Sequence, residues 1–274
     1  RGLNVNGINF FDADVSNLSN IDTERVEVVL GPASALYGPG VGAGVVHYLS
    51  KDPFKHPGTT INLQAGGFEK GGSFDMNMYK MDFRHAVSND ENTFGYKFNL
   101  KYGENEDFDY AESTLAQFQS EIKDAATGRV VRNIDGKLQE RNSQRGADAT
   151  IYYRPSNDLS ITTVAGINEV AANIFISSTG ETRAQQTTAF IQTRVQSGNL
   201  FMQYNYTDTS NPTEDKYRGF NYRTGVTSGV ESKQSQFQLQ YELAFDAINT
   251  GMSIGVENKS SKFETGTGTF GRYE

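Results

Sequence analysis

The sequence contains no cysteine, which excludes a disulfide framework, a thiolate nucleophile and a cysteine-based metal site. Its three histidines, His47, His56 and His85, lie too far apart for a local ligand motif. No apolar run reaches the length of about 18 residues that a transmembrane helix needs. The net charge is -8 and no basic stripe occurs, so nucleic acid is not an expected partner. No catalytic set can be argued from the spacing of polar residues, and we predict a non-enzyme without a cofactor.

What the chain does contain is a repeated two-residue alternation. Within residues 94–102 every even position is aromatic or aliphatic and every odd position is small or polar. Residues 237–245 show the same pattern, with apolar side chains at the odd positions. Such segments predict strands with one apolar and one polar face. Weaker copies occur at 61–65, 147–153, 159–167, 189–195, 200–206 and 252–256.

Two β folds produce this alternation, a soluble sandwich and an outer-membrane barrel. The apolar bands end in aromatic residues, Phe94 with Tyr102 and Phe237 with Phe245, as expected of barrel strands at the two membrane interfaces. Eight steps of about 3.3 Å, tilted by about 40°, reach a height of roughly 20 Å, close to the roughly 25 Å band of such barrels. The polar face is rich in Gln, Asn, Lys and Arg, which suits a wet interior. We therefore predict an all-β fold, a transmembrane antiparallel β-barrel.

The predicted connections alternate between short and long. Because short periplasmic turns and long external loops are typical of outer-membrane barrels, the long connections are expected outside the cell. The first outer connection, 66–72, is a short exception. The short connections are 88–92, 155–158, 197–199 and 246–250, and the long ones are 103–145, 168–186 and 208–231.

A different pattern occupies residues 24–51. Val26, Val28 and Leu30 alternate with other residues and predict a half-buried strand, which the Gly31-Pro32 pair then ends. The glycines from Gly38 to Gly44 are spaced like a phosphate cradle, but a β-branched and aromatic stretch follows them instead of a helix. We therefore interpret them as a tight turn between two strands.

The run 24–51 resembles the last third of the plug domain of TonB-dependent outer-membrane receptors. Shorter resemblances to their first barrel strands lie at 83–86, 94–97 and 106–110. The resemblance implies that residues 1–57 are the C-terminal part of a plug and that residues 58–274 are the N-terminal part of the barrel. The plug motif would comprise Arg25, Glu27, Gly31, Pro32, Leu36, Tyr37, Gly38 and Gly44.

The resemblance also implies a function. The expected activity is energy-coupled uptake of a scarce external ligand, such as a siderophore, cobalamin or glycan, across a Gram-negative outer membrane. The expected partners are TonB, through a segment outside this chain, the outer-membrane lipid and the ligand. About nine strands are predicted, against about 22 in plugged barrels, so the chain is expected to be a fragment. The alternatives are a receptor that mainly signals and a soluble β-rich adhesin.

Individual residues carry further expectations. Arg25 and Glu27 resemble plug charges that pair with the barrel wall, although a local or solvated pair is equally compatible with a strand. Many members of the family have Arg where this chain has Leu30. The candidate ligand-facing residues are Tyr37, Phe108 and Tyr110, and Tyr37 could instead cover the glycine turn.

The longest connection contains two more patterns. The acidic stretch 104–112 lacks the spacing of a calcium loop, so a solvated loop base is the favoured interpretation. Leu115, Phe118 and Ile122 recur at helical spacing and predict a short amphipathic helix in this external connection.

Overall fold

The computed structural model describes most of the chain. Among the described residues, no helix is long and apolar enough to cross a membrane. Nearly all regular structure is β. The described residues are 19–31, 44–70, 73–106, 111–124, 127–138, 141–176, 180–210, 219–227, 230–245, 250–265 and 272–273.

The regular elements of the described part follow one another along the chain as strands, interrupted by one short helix. They are β1 (Thr23–Leu30), β2 (Gly44–Ser50), β3 (Gly58–Lys70), β4 (Ser73–Ser88), β5 (Phe94–Glu106), α1 (Glu112–Leu115), β6 (Glu121–Lys123), β7 (Val130–Asn133), β8 (Arg141–Tyr153), β9 (Leu159–Ile176), β10 (Gly180–Ser197), β11 (Leu200–Ser210), β12 (Phe220–Asn221), β13 (Val226–Thr227), β14 (Val230–Phe245), β15 (Thr250–Thr265) and β16 (Arg272–Tyr273).

The long strands form one antiparallel sheet in which each pairs with the next along the chain. Its order is β3-β4-β5-β8-β9-β10-β11-β14-β15-β16, and β1 and β2 form a separate hairpin. Leaving aside the two-residue β16, this path holds the nine strands that the alternation predicts. The short elements β6, β7, β12 and β13 lie in the connections, and β12 is attached to β10.

The two faces of the sheet differ in a way that a soluble protein rarely allows. On β5, Lys97 and Asn99 are 2% and 4% exposed, whereas the intervening Phe98 is 36% exposed. We call the face with the buried polar side chains the inner face and the opposite one the outer face. Apolar side chains cover the outer face from Ile61 on β3 to Val256 on β15, both more than half exposed. An apolar outside and a polar inside are the arrangement of a membrane barrel.

Tight turns connect the strands at one end of the sheet, as predicted. Between β4 and β5, the Asn89 side-chain oxygen accepts hydrogen bonds from the backbone N–H groups of Thr93 and Phe94, both at 2.9 Å. Asn92 adopts a φ of 54°, a left-handed conformation that asparagine tolerates better than most residues. Between β10 and β11 the turn consists of only two residues.

The connection predicted at 168–186 is mostly strand. β9 continues to Ile176 and β10 starts at Gly180, and the two pair in unbroken register from Gly180 with Ile176 to Ser197 with Leu159. The prediction of a long loop here was wrong. It relied on the loss of alternation, but a hairpin that extends beyond the apolar band keeps its backbone hydrogen bonds without needing an apolar face.

The amphipathic helix predicted after residue 113 is also wrong in its extent. Helix α1 spans four residues and has no side-chain cap at its start. Phe118 follows the helix, and Ile122 lies in β6. The three apolar side chains of the predicted stripe do meet, in a cluster completed by Ile134 and by residues from another connection.

Candidate functional site

The β1–β2 hairpin carries the described part of the plug motif. The two strands are antiparallel, with Val26 opposite Tyr48 and Val28 opposite Val46. Contrary to the expectation of a half-buried strand, β1 is largely exposed, and Leu30 reaches 87%. Pro32, Leu36, Tyr37, Gly38 and the turn up to residue 43 lie outside the described residues, as do Phe108 and Tyr110.

Within this hairpin, Arg25 and Glu27 pair with each other. The Arg25 Nε donates to Glu27 Oε1 at 2.7 Å, and both side chains are exposed. His47 on β2 lies 3.6 Å from the same carboxylate. The hydrogen bond from Arg25 holds the pKa of Glu27 below its usual value. The described contacts are those of a local pair within the strand. A role of Arg25 and Glu27 in binding the plug to the barrel wall stays a prediction.

The charge that does bind the hairpin segment to the sheet is Asp22, directly before β1. Asp22 Oδ1 accepts a hydrogen bond from Arg84 Nε on β4 at 2.8 Å. Asp22 Oδ2 accepts hydrogen bonds from Lys97 Nζ at 2.7 Å and from Asn99 Nδ2 at 3.2 Å, both on β5. One carboxylate therefore binds two cations and an amide on the inner face.

Burial makes these contacts energetically important. The side chains of Arg84 and Lys97 are almost completely buried, and that of Asp22 is 10% exposed. A buried charge is tolerated only when it is paired and hydrogen-bonded. A second carboxylate, Asp148 on β8, lies beside the group and accepts from Asn99 Nδ2 at 2.9 Å. Two buried cations thus share the Asp22 carboxylate, which the hairpin segment supplies, and a second carboxylate lies close by.

A turn before β1 presents Asp22 in this position. The Ser19 carbonyl accepts from the backbone N–H of Asp22 at 3.1 Å and from that of Thr23 at 3.0 Å. The Ser19 hydroxyl donates to Asp82 on β4 at 3.1 Å. After β2, Lys51 Nζ donates back to the Ile21 carbonyl at 2.9 Å. The two ends of the hairpin are therefore joined to each other and to β4.

The segment between β2 and β3 is held to the sheet at a second place. Arg154, which follows β8, donates to Asp52 at 2.9 Å and lies over the Phe54 ring, 4.6 Å from its centroid. Phe54 also meets the ring of Tyr152 edge-on. Gly95 on β5 makes room for Phe54, because a Cβ at that position would lie 3.1 Å from the ring. We call these contacts, together with those of Asp22, the latch.

A cavity of about 450 Å³ lies between the hairpin segment and the inner face. Part of its lining is a row of hydrogen-bonded side chains that crosses four strands. Gln192 donates to Asn205, Asn205 donates to Gln236 at 3.4 Å, and Gln236 donates to Glu257 at 2.8 Å. The row thus places amides on β10, β11 and β14, whereas the partners of Asp22 lie on β4 and β5.

Among the residues that the structure describes, no three His, Cys, Asp or Glu side chains converge as metal ligands. In the acidic stretch, Glu104 and Glu106 lie 3.4 Å and 3.7 Å from the Arg141 guanidinium. These carboxylates take part in ion pairs at the end of β5.

Sequence reasoning placed the polar residues of β5 inside but missed Asp22. Its partners Arg84 and Lys97 lie 62 and 75 residues further along the chain. The available signal was that positively charged residues occupy the inner positions of β4 and β5, since buried cations require an anionic partner.

Solved structures with similar folds were found, whereas no family model matches the sequence. The chain is similar to the alcaligin outer-membrane receptor FauA from Bordetella pertussis, with a TM-score of 0.56 and 13% identity over 91% of this chain and 36% of that chain. It is similar to the copper transporter OprC, with a TM-score of 0.53 and 15% identity over 91% and 35%. It is also similar to the siderophore receptor PirA from Acinetobacter baumannii, with a TM-score of 0.52 and 12% identity over 89% and 35%.

The chain thus spans about a third of the length of the solved structures that it matches. The matched part of this chain includes the antiparallel meander described above. The resemblance found in the sequence is therefore confirmed at the level of the fold: the chain has the fold of a part of the TonB-dependent outer-membrane receptors.

Proposed function

We propose that this chain belongs to an outer-membrane receptor that takes up a scarce external ligand with energy delivered by TonB. In this proposal residues 1–57 are the C-terminal part of the plug and residues 58–274 are the N-terminal part of the barrel. The observation that carries it is the latch, in which Asp22 is bound by the buried Arg84 and Lys97. The protein acts as a transporter and not as an enzyme.

The latch supports energy coupling because separating its buried ion pairs requires free energy. A passive pore gains nothing from a segment fixed to its inner wall by buried ion pairs. Removing one partner of such a pair leaves an uncompensated buried charge, at a cost of about 3–5 kcal/mol. Thermal motion alone rarely releases a plug that is held in this way. Its movement therefore needs energy from outside the protein. TonB supplies that input through a segment outside this chain.

The outer face supports the location. Exposed apolar side chains on β3 to β15 contact outer-membrane lipid, and the long connections after β5 and β11 face the exterior. Tyr37, Phe108 and Tyr110 remain the candidate residues for contact with the ligand. FauA is an alcaligin receptor, OprC a copper transporter and PirA a siderophore receptor, so metal chelates come first among the ligands to test, followed by cobalamins and glycans.

The test is uptake by cells with and without the complete gene. Labelled ferric siderophores, cobalamin and neutral oligosaccharides are supplied at nanomolar concentration, and each strain is compared with an otherwise identical strain that lacks TonB. We expect one ligand class to accumulate only when both the gene and TonB are present. Uptake that depends on the gene but continues without TonB would show a passive pore and contradict the proposal.

A further inference from the structure

Two connections at the same end of the sheet come together in this structure. The first, between β5 and β8, is described at 111–124 and 127–138, and the second, between β11 and β14, at 219–227. The strands that flank them, β8 and β11, are separated in the sheet by two long strands, β9 and β10. Contact between two such distant connections requires a specific interface.

That interface is a small apolar core shared by both connections. The first contributes Phe118, Ile122 and Ile134, and the second contributes Phe220 and Tyr222, all buried. The rings of Phe118 and Tyr222 lie 4.9 Å apart, and those of Phe220 and Tyr222 lie 5.0 Å apart in an edge-on arrangement. Each connection supplies the surface that buries the apolar side chains of the other.

Backbone hydrogen bonds join the two connections as well. The N–H of Gln119 donates to the Tyr222 carbonyl at 2.8 Å, and the N–H of Lys123 donates to the Gly225 carbonyl at 2.6 Å. β6 and β13 pair in parallel where Lys123 meets Val226. Gly225 has a φ of 63°, and a Cβ there would lie 2.5 Å from the Glu121 carbonyl oxygen, so this close approach requires glycine.

The joint unit is attached to a third element, the upper end of β10. Strand β12 pairs with β10 through Asn221 opposite Thr182 and Phe220 opposite Arg183. The N–H of Tyr222 donates to the Glu181 carbonyl at 3.0 Å, and the Asn221 amide donates to the Thr182 hydroxyl at 3.1 Å. The second connection therefore continues the β9–β10 hairpin as an added strand.

We propose that the two connections fold only together, as a single cap held on the β9–β10 hairpin. Its core consists of the five buried residues named above, so neither connection keeps its structure when the other is disturbed. A ligand that contacts one connection consequently acts on both. The cap presents one composite surface at the end of the barrel. This inference concerns the folding of the connections and does not depend on which ligand is transported.

The test is limited trypsin digestion of the complete receptor in detergent micelles, with cleavage sites mapped by mass spectrometry. Lys123, Arg129 and Lys137 of the first connection are exposed and report on its folding. The variant Tyr222→Ala removes the central ring of the core from the second connection. We expect cleavage in the first connection to become at least tenfold faster, although the substitution lies in the second. Phe118→Ala should in turn accelerate cleavage at Arg223.

The matched control is Tyr241→Ala, the same truncation at an exposed tyrosine on the outer face of β14. It should leave cleavage in both connections unchanged. Retention of the folded barrel is checked by the mobility of unheated samples on SDS gels. With the barrel intact, faster cleavage confined to the connection that carries the substitution would overturn the proposal. The reciprocal effect of Tyr222→Ala and Phe118→Ala supports it.

Discussion

Replacing Asp22 by asparagine tests whether the latch holds the hairpin segment in place. The substitution keeps the size of the side chain and removes its charge. Arg84 Nε and Lys97 Nζ lie 2.8 Å and 2.7 Å from the Asp22 carboxylate. In the variant both cations stay buried, but the negative charge that pairs with them is gone. Loss of one partner of a buried ion pair costs about 3–5 kcal/mol. Because Asp148 stays beside the cations, we expect the lower end of that range, about 3 kcal/mol, or roughly a 150-fold change in the equilibrium between docked and undocked states.

The assay is hydrogen exchange of backbone amides in the complete receptor, followed by mass spectrometry. Amides that exchange through local opening report the free energy of that opening. Asp22→Asn should accelerate exchange in β1 and β2, at 23–30 and 44–50, by roughly 100-fold. Exchange in β5, at 94–106, should stay unchanged because the barrel strands keep their own hydrogen bonds.

The matched control is Arg25→Gln, which breaks the exposed pair with Glu27 in the same hairpin. Because both side chains are exposed and solvent screens their attraction, exchange should rise far less than in Asp22→Asn. Lys97→Met removes one cation but leaves Asp22 paired with Arg84, and its effect should lie between the other two. Equal acceleration by Asp22→Asn and Arg25→Gln would refute the argument that burial makes Asp22 the principal attachment.

Three further substitutions, two of them with a matched control substitution, probe the sheet and the second attachment point. On the outer face, Leu239→Arg should lower the free energy of unfolding of the complete barrel by about 2–4 kcal/mol, whereas Gln240→Arg on the inner face should lower it much less. Equal losses would contradict the assignment of faces. Gly166→Ala places a Cβ 2.8 Å from a backbone carbonyl oxygen and should destabilise the barrel by about 1–3 kcal/mol. A Cβ at Gly103 would lie 3.7 Å from its nearest atom, so Gly103→Ala should be neutral in the same unfolding assay. Arg154→Ala breaks the ion pair with Asp52, in which the Arg154 side chain is about one-third exposed. Hydrogen exchange at 51–57 should therefore rise by less than tenfold. A larger rise would show that this pair holds the segment as strongly as Asp22 does.

The sheet was largely predictable because membrane and wet interior impose opposite requirements on alternate residues. Along 94–102 the outer face needs apolar side chains and the inner face needs polar ones, so the period of two appears directly in the sequence. The number of long strands and the positions of the tight turns followed from that period.

Beyond the apolar band the same reasoning fails. The upper parts of β9 and β10 are paired through their backbones but lie outside the segments that alternate, so the sequence carries no signal for this pairing. The spacing of Leu115, Phe118 and Ile122 suits a helix, but the partners that place these side chains come from the second connection. Gln119, for example, donates to a carbonyl 104 residues away. Asp22 was missed for the same reason, since nothing local distinguishes it from a solvated aspartate.

The length of the β9–β10 hairpin has a consequence for the cell surface. Each strand has 18 residues, whereas crossing the membrane takes about 9–11. In the proposed outer-membrane location, about seven residues of each strand stand clear of the hydrocarbon, and at about 3.3 Å per residue and a tilt near 40° they rise by roughly 18 Å. The proposed cap, attached to their upper end, would then project past the lipid head groups. An approaching molecule, whether nutrient or antibody, touches this projection before it reaches the membrane.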